Sequence, residues 1–469
     1  MLRLTDTRTR KLEDIVPARP GELRMYTCGP TVYRYAHVGN MRAYLLSDLI
    51  RRVAELHGLR VTVAQNITDV GHLADDSDVD PSGEDKVLAQ AKAEGRSAFD
   101  IARFYEAAFH ADCATLNIRP AEHNPRASEC IPQMIALIEQ LIESGHAYAA
   151  ADGSVFFDAR SFDSYGEISG NRLDDLRPGH RVDPETGGAK RFHADWALWK
   201  SAGANREMVW DSPWGTGFPG WHIECSVMSL EHLGDDIDIH TGGIDLRFPH
   251  HEDERAQSNT AAGRDVVRHW VHGEHLLADG RKMAKSTGNV IRLDDVADRG
   301  LDPLAVRLFF LTGRYRQQMN LTWDTLVALD RRLIRWRSRV AQWAESPSVA
   351  LPREQVDAVV AAFDDDLDTP TALVRLDELA RDEALMPGAK FEAFAYLDRV
   401  LGLDLVRDVG KPKVVEVLPA GGQELLDQRA QARTIKDFAA SDRLRDELAA
   451  LGVAVADTAE GQTWSLSVR

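Results

Sequence analysis

Apolar residues recur at Leu46, Leu49, Ile50 and Val53, the spacing of an amphipathic helix, within a segment running from Asn40 to His57. Short apolar runs flank it, Glu22 to Cys28 before and Val61 to Ile67 after, and both read as buried strands. Gly29-Pro30 breaks the first strand, and Gly58 is placed to stop the helix in a left-handed conformation. Strand, helix and strand in such close succession predict a βαβ unit, the opening of a doubly wound parallel sheet. A second helix is predicted over 126–144, with Ile131, Met134, Ile135, Ile138 and Ile142 on one stripe and Gly145 at its end.

Between 150 and 220 the pattern changes to glycine, aspartate and short aromatic strands such as Val155-Phe156-Phe157, which reads as an insertion. The sheet signal returns at Ile237-Asp238-Ile239-His240 and again between Val266 and Leu277. Beyond about residue 320 the period is helical almost to the end. Gly410 to Pro419 resembles a linker, and a small charged tail follows with a helix-then-strand pattern. The acidic stretch Asp75 to Asp85 is not an EF-hand: Pro81 stands where the turn glycine belongs and Val87 where the bidentate glutamate belongs.

Length and composition refine this outline. The 469 residues suit about three domains, and 44% hydrophobic residues can supply their cores. No apolar run approaches the roughly 18 residues of a membrane span. The start, Met1-Leu2-Arg3-Leu4-Thr5-Asp6, lacks the apolar stretch of a signal peptide, so a cytoplasmic protein is expected. The net charge of −18 speaks against nucleic acid unless positive charge is local. Arg331, Arg332, Arg335, Arg337 and Arg339 crowd around Trp336, and Arg314 and Arg316 flank Tyr315. Such a run is more often a solvated helix face, so it leaves an RNA partner open without supporting one. Cys28, Cys113, Cys130 and Cys225 form no CxxC pair and are expected as free thiols.

Three constellations carry candidate chemistry. Gly29 to Asn40 lies between the first strand and its helix, where free backbone N–H groups and the positive dipole end suit phosphate. His37 and Asn40 add donors there, and Gly39 permits close backbone approach. The second, Gly280-Arg281-Lys282-Met283-Ala284-Lys285-Ser286-Thr287-Gly288-Asn289, sets two lysines three apart in a cationic loop suited to a polyphosphate. An exposed basic turn would look the same. The third joins Trp221-His222-Ile223-Glu224-Cys225 to Phe248-Pro249-His250-His251-Glu252-Asp253-Glu254. Pro249 suits a helix start, so His250 and Glu254 fall at i and i+4 on one face. With Cys225 and Cys28 they make four ligands of zinc-preferring type, whose convergence the periodicity alone does not establish.

Taken together, these strings resemble the class I aminoacyl-tRNA synthetases and, among them, the cysteinyl-tRNA synthetase family. The likeness covers nearly the whole chain. It includes Met25 to Tyr33, Asn66-Ile67-Thr68-Asp69, Pro219 to Ser226, Asp238 to Leu246 and Phe248 to Glu252, in the family's order. It implies an α/β fold: a Rossmann-like parallel sheet with an inserted connective domain, then a helical bundle and a small C-terminal anticodon-binding domain. The corresponding division is 1–120 and 216–265 for the catalytic halves, 121–215 for the insertion and 266–320 for the stem-contact region. The bundle then takes 321–409 and the terminal domain 410–469.

By the same resemblance, the HIGH motif falls on His37-Val38-Gly39-Asn40 and the KMSKS loop on Lys282-Met283-Ala284-Lys285-Ser286. The zinc ligands fall on Cys28, Cys225, His250 and Glu254. Gly29, Thr31, Thr68 and Trp221 would surround cysteine, Gly243 and Asp245 would hold the ATP ribose, and His37, Asn40, Lys282 and Lys285 would handle its phosphates; the family uses Mg²⁺ with its ATP. Arg433 and Trp464 belong to the tail expected to contact tRNA(Cys). Asn40 replaces a histidine and Ala284 a serine of the family pattern; the donor and both lysines remain, so modest kinetic change is implied. Val70-Gly71-His72 departs from the family's commoner acidic version. The implied activity is cysteine–tRNA ligation by a monomer, with L-cysteine, ATP and tRNA as partners and no membrane. A ligase joining cysteine to an amino sugar shares the catalytic fold but lacks an anticodon module, and a non-catalytic paralogue is a further alternative.

Overall fold

The computed structural model describes residues 1–70, 86–176, 190–202, 206–283, 289–411, 418–458 and 461–466. The acidic stretch 75–85, Gly71 and His72 lie outside them. An antiparallel hairpin, β1 (Arg3–Asp6) and β2 (Lys11–Asp14), precedes β3 (Glu22–Thr27), α1 (Val38–Leu56) and β4 (Arg60–Gln65). The helix begins two residues before the expected Asn40 because His37 and Asn40 cap it reciprocally. Gly58 takes the left-handed conformation (φ +83°) just beyond it.

Helices α2 (Lys86–Glu94), α3 (Ala98–Thr115) and α4 (Ile131–Glu143) follow. The last starts later than the predicted 126, since Pro132 fits only a first turn and a short 3₁₀ turn occupies Ala127–Glu129. Strands β5 (Ala147–Ala149), β6 (Val155–Phe157), β7 (Trp196–Ser201) and β8 (Gly217–Pro219) pair in that order as an antiparallel sheet. Then come α5 (Trp221–Leu233), β9 (Ile237–Gly243), α6 (His250–Ala262), β10 (Val267–Gly273), β11 (Leu276–Ala278) and β12 (Arg281–Lys282).

The central sheet runs β10-β9-β3-β4, with every neighbour parallel. Its strands are buried almost throughout, as a sheet covered on both faces requires. Helix α1 touches all four strands, while α5 packs on β3 and β4 and against α6. From β3 the chain passes to β4 on one side; β9 and β10 lie on the other. The order therefore reverses between β3 and β9, and the crevice at their carboxyl ends is where such sheets bind ligands.

Helices α7 (Leu293–Asp298) and α8 (Leu304–Leu311) lead to β13 (Met319–Leu321), which pairs with β11. The helices α9 (Trp323–Trp343), α10 (Arg353–Asp364), α11 (Thr369–Arg381) and α12 (Pro387–Leu401) complete this part. Buried Arg307 of α8 ties it to the sheet region, donating to Asp48 Oδ2 at 2.7 Å and to the Leu401 and Leu116 carbonyls at 2.6 and 3.0 Å. The chain ends in α13 (Gly422–Thr434), α14 (Phe438–Ala450) and the hairpin β14 (Val453–Thr458) and β15 (Gly461–Leu466), around a core of Leu426, Leu448 and Val453. Among the described residues, no helix is long and apolar enough to cross a membrane.

Candidate active site and metal centre

Cys28 follows β3 directly, and its amide donates to the Thr241 carbonyl of β9 at 3.2 Å, so the thiol sits at the point where strand order reverses. Cys225 occupies the second turn of α5, and α6 contributes His250 and Glu254 one turn apart. Their ligand atoms meet: Cys28 Sγ lies 4.0 Å from Cys225 Sγ and 3.4 Å from Glu254 Oε1. His250 Nε2 lies 3.5 Å from Cys225 Sγ and 2.9 Å from Glu254 Oε1. All four residues are buried.

A second quartet overlaps the first. Cys28 and Glu254 also face His240 and His251, whose Nε2 atoms lie 3.5 and 3.2 Å from Cys28 Sγ. These histidines were not among the sequence-derived candidates, although both lie in the strings that carry the resemblance. A shell of further histidines orients them. His251 Nδ1 is 2.7 Å from His272 Nε2, and His272 Nδ1 is 2.7 Å from Thr7 Oγ1. His222 Nδ1 stands 2.9 Å from His250 Nδ1.

The histidines and cysteines of the two quartets differ in their electrostatics. Burial pushes His240 down to about 4 and His251 well below the ordinary histidine range, with neighbouring histidines adding to the latter. Burial also opposes charge on His250, but Glu254 and Cys225 outweigh it and raise that imidazole well above its usual value. Burial lifts the Cys28 thiol, helped by Cys225 and Glu254. Cys225 is held below the usual thiol value because its Cys28 hydrogen bond and His250 overcome burial. The shifts thus favour the thiolate at Cys225 and the proton on His250, which a bound ion would displace.

The residues expected around cysteine border this cluster. The Trp221 ring lies 4.1 Å from that of His250. Thr31 bridges Thr68, the Val32 amide donating to the Thr68 carbonyl at 3.1 Å. The Gly29 amide donates to Asn66 Oδ1 at 2.7 Å, Asn66 Nδ2 to Thr68 Oγ1 at 3.0 Å, and Thr68 Oγ1 to Glu224 Oε2 at 2.9 Å. A side chain at Gly29 would collide with the Asn66 carbonyl. Buried Glu224, another residue outside the sequence-derived set, is pushed well above the carboxylate range by burial and Cys225. Gly243 ends β9, and Asp245 stands in the 3₁₀ turn that follows.

At the start of α1, His37 Nδ1 accepts from the Asn40 amide at 3.2 Å while the His37 amide donates to Asn40 Oδ1 at 3.1 Å. With Nδ1 accepting, the neutral ring carries its proton on Nε2. Burial, aided by Arg34, lowers this histidine to about 4, so it presents a neutral donor at physiological pH. The chain on either side of the cationic loop packs here: a Cβ on Gly39 would stand 3.7 Å from Met283 Sδ, and the Val38 amide donates to the Ile291 carbonyl at 2.9 Å. Residues 284–288, and so Lys285, lie outside the described set; of Lys282 only the backbone, in β12, is described.

Far along the chain, Arg433 pairs with Asp457 at 2.9 Å and Trp464 packs on the small terminal core. Much of the arginine run on and before α9 is engaged internally. Arg332 pairs with Asp377, Arg337 with Asp302, Arg314 with Asp368 and Arg316 with Asp366.

Comparison with known proteins agrees with this geometry. The family described as "tRNA synthetases class I (C) catalytic domain" matches residues 14–330, and "Cysteinyl-tRNA ligase anticodon binding domain" matches 416–464. A cysteine--tRNA ligase of Thermus thermophilus is 41% identical, covering 98% of each chain. One from Novosphingobium aromaticivorans is 43% identical over 99% of this chain and 97% of its own. Among solved structures, a Mycobacterium tuberculosis methionyl-tRNA synthetase in complex with methionyl-adenylate aligns at TM-score 0.57 with 16% identity, covering 90% of this chain and 96% of that one. An Agrobacterium radiobacter leucyl enzyme in a ternary complex aligns at TM-score 0.59 with 11% identity, covering 83% and 84%. These last two likenesses concern the fold, an α/β class I synthetase architecture. The similarity over both matched regions and nearly the full length places the chain in the family: it belongs to the cysteinyl-tRNA ligases of class I.

Proposed function

We propose that this protein activates L-cysteine with ATP and transfers it to the 3′ end of tRNA(Cys). The observation that carries the reading is the buried meeting of Cys28, Cys225, His250 and Glu254 beside Trp221 and Thr68, next to the start of α1. Two sulfurs, one imidazole nitrogen and one carboxylate oxygen suit zinc, and the lowered Cys225 thiol favours the thiolate that such an ion binds. Cys28, Cys225, His250 and Glu254 would hold the ion, which would supply a soft Lewis acid that prefers a substrate thiolate to a hydroxyl.

That preference matters because shape alone separates such similar side chains by only about 1–3 kcal/mol. Gly29, Thr31, Thr68 and Trp221 hold the rest of cysteine, with its carboxylate toward α1. The carboxylate attacks the α-phosphate of ATP, and pyrophosphate departs as the new acyl–phosphate bond forms. His37 Nε2–H, the Asn40 side-chain amide and the free N–H groups of α1 stabilise the phosphates, while Lys282 and Lys285 offset charge on the leaving pyrophosphate. Gly243 and Asp245 hold the ribose of ATP, which enters with Mg²⁺. A terminal ribose hydroxyl of tRNA then attacks the adenylate carbonyl and AMP leaves. Arg433 and Trp464 contact the tRNA from the C-terminal module. We assign the protein to the cytoplasm and to a monomeric state, in keeping with this reaction.

The test is cysteine-dependent ATP–pyrophosphate exchange followed by charging of tRNA(Cys). Exchange with charging is the expected result. Exchange with transfer to an amino sugar in place of tRNA would assign the protein to the sugar ligase, and absence of exchange would leave a binding paralogue.

A further inference from the structure

A cluster of exposed aromatic rings lies beside the start of α1. The Tyr35 ring, two residues before His37, lies 5.1 Å from Tyr105 and 6.0 Å from Phe104, both edge-on and both from α3. Tyr35 and Phe104 are 37% and 42% exposed. Guanidinium groups rest on these rings: Arg292 lies 3.8 Å over Tyr35 and Arg96 lies 5.1 Å over Phe104. Exposed Arg34 lies 5.0 Å over Tyr33. Three stretches of chain build this patch: the segment before α1, the α2–α3 region, and the residue after Ile291.

We propose that Tyr35 and Phe104, with Arg34, Arg96 and Arg292, form the platform for the single-stranded 3′ end of the tRNA as its terminal ribose reaches the adenylate. The inference rests on the proposed function and adds the surface it uses. An unpaired run of nucleotides presents a flat base and a phosphate at each step; rings accept the bases and guanidiniums the phosphates. Arg96 and Arg292 lie on exposed rings and pair with Glu94 and Asp294, and exposed Arg34 beside Tyr35 adds positive charge in a chain of net charge −18. The position completes the argument. Tyr35 and Arg34 run directly into His37, and Arg292 directly follows the residue whose carbonyl holds Val38. A strand lying on the rings therefore ends beside the phosphate motif.

The experiment compares wild type, Phe104→Ala, Phe104→Tyr and Arg96→Gln in three assays on the full chain: pyrophosphate exchange, steady-state charging, and single-turnover transfer from preformed adenylate. Phe104→Ala is expected to raise KM for tRNA or slow transfer roughly ten-fold, the scale of one lost base stack, with exchange held within about two-fold. Phe104→Tyr should restore transfer, and Arg96→Gln should weaken it most at low salt, its deficit shrinking as salt rises. Transfer unchanged in Phe104→Ala would overturn the proposal. So would an equal rise in KM for ATP during exchange, which would assign the rings to the free nucleotide. Wild type that exchanges but charges no tRNA would instead sink the proposed function itself.

Discussion

The Val38 amide donates to the Ile291 carbonyl at 2.9 Å. This bond joins the first residue of α1 to the chain just beyond the cationic loop, so the two motifs proposed to bind phosphate share an anchor. Gly39 strengthens the junction, because its missing Cβ leaves room for the His37 ring, 3.0 Å from where that atom would stand, and for Met283.

Gly39→Ala should therefore disturb catalysis more than stability. A methyl there pushes the His37 ring aside by a few tenths of an ångström, while Met283 Sδ, at 3.7 Å, would only be in ordinary contact. Exchange kinetics should show a raised KM for ATP and a rate lowered on the order of ten-fold, with Tm little changed. Unaltered exchange would remove the junction from the mechanism.

The two overlapping quartets make different predictions for metal content. Cys225→Ser should lower bound zinc well below one per chain and narrow the preference for cysteine over serine in exchange. His240→Ala should leave zinc in place if the ligands are Cys28, Cys225, His250 and Glu254, the set proposed above. Zinc lost in His240→Ala but retained in Cys225→Ser, by elemental analysis, would transfer the site to Cys28, His240, His251 and Glu254.

His37 carries a pH signature. Its folded value, depressed to about 4 by burial and Arg34, lies below the roughly 6.5 of an unfolded histidine. The unfolded chain thus takes the proton first. The stability this residue supports is present above about pH 6.5 and is lost as pH falls toward 4. Its NMR resonance should stay flat from pH 8 to about pH 5, and His37→Gln should reduce the acid sensitivity of folding. A His37 titration centred near 6.5 would contradict this reading.

For the C-terminal module, Arg433→Ala should raise KM for tRNA several-fold while leaving pyrophosphate exchange at the wild-type rate. Trp464→Phe keeps an apolar ring on the Leu426–Leu448–Val453 core and so separates packing from contact. Normal charging by both variants would place the tRNA contacts elsewhere.

The sequence shows the β3–α1–β4 unit clearly because apolar spacing, Gly29-Pro30 and Gly58 all mark the same boundaries. His250 and Glu254 were legible as a pair because a helix sets them one turn apart. His240, His251 and His272 were not, since they lie on two strands and a helix brought together only by the β9–β10 pairing and α6. The run of arginines around Trp336 also misleads when read alone. Its partners Asp302 and Asp377 are distant in sequence, and only the packed helices bring them within 2.5 and 2.7 Å. Glu224 gives no local signal either, for its significance lies in Thr68 on the far side of the insertion.

The reversal of strand order between β3 and β9 also dictates when the cluster can exist. Cys28 leaves the ribosome early, yet Cys225 follows 197 positions later and Glu254 226 positions later. Closing so long a loop is among the slower events in folding. The nascent amino-terminal half therefore exposes a lone thiol at a bare strand end, and metal capture must wait for α6 to be made and docked. Loading of an ion at these four residues would thus be a late event in the life of each newly synthesised chain.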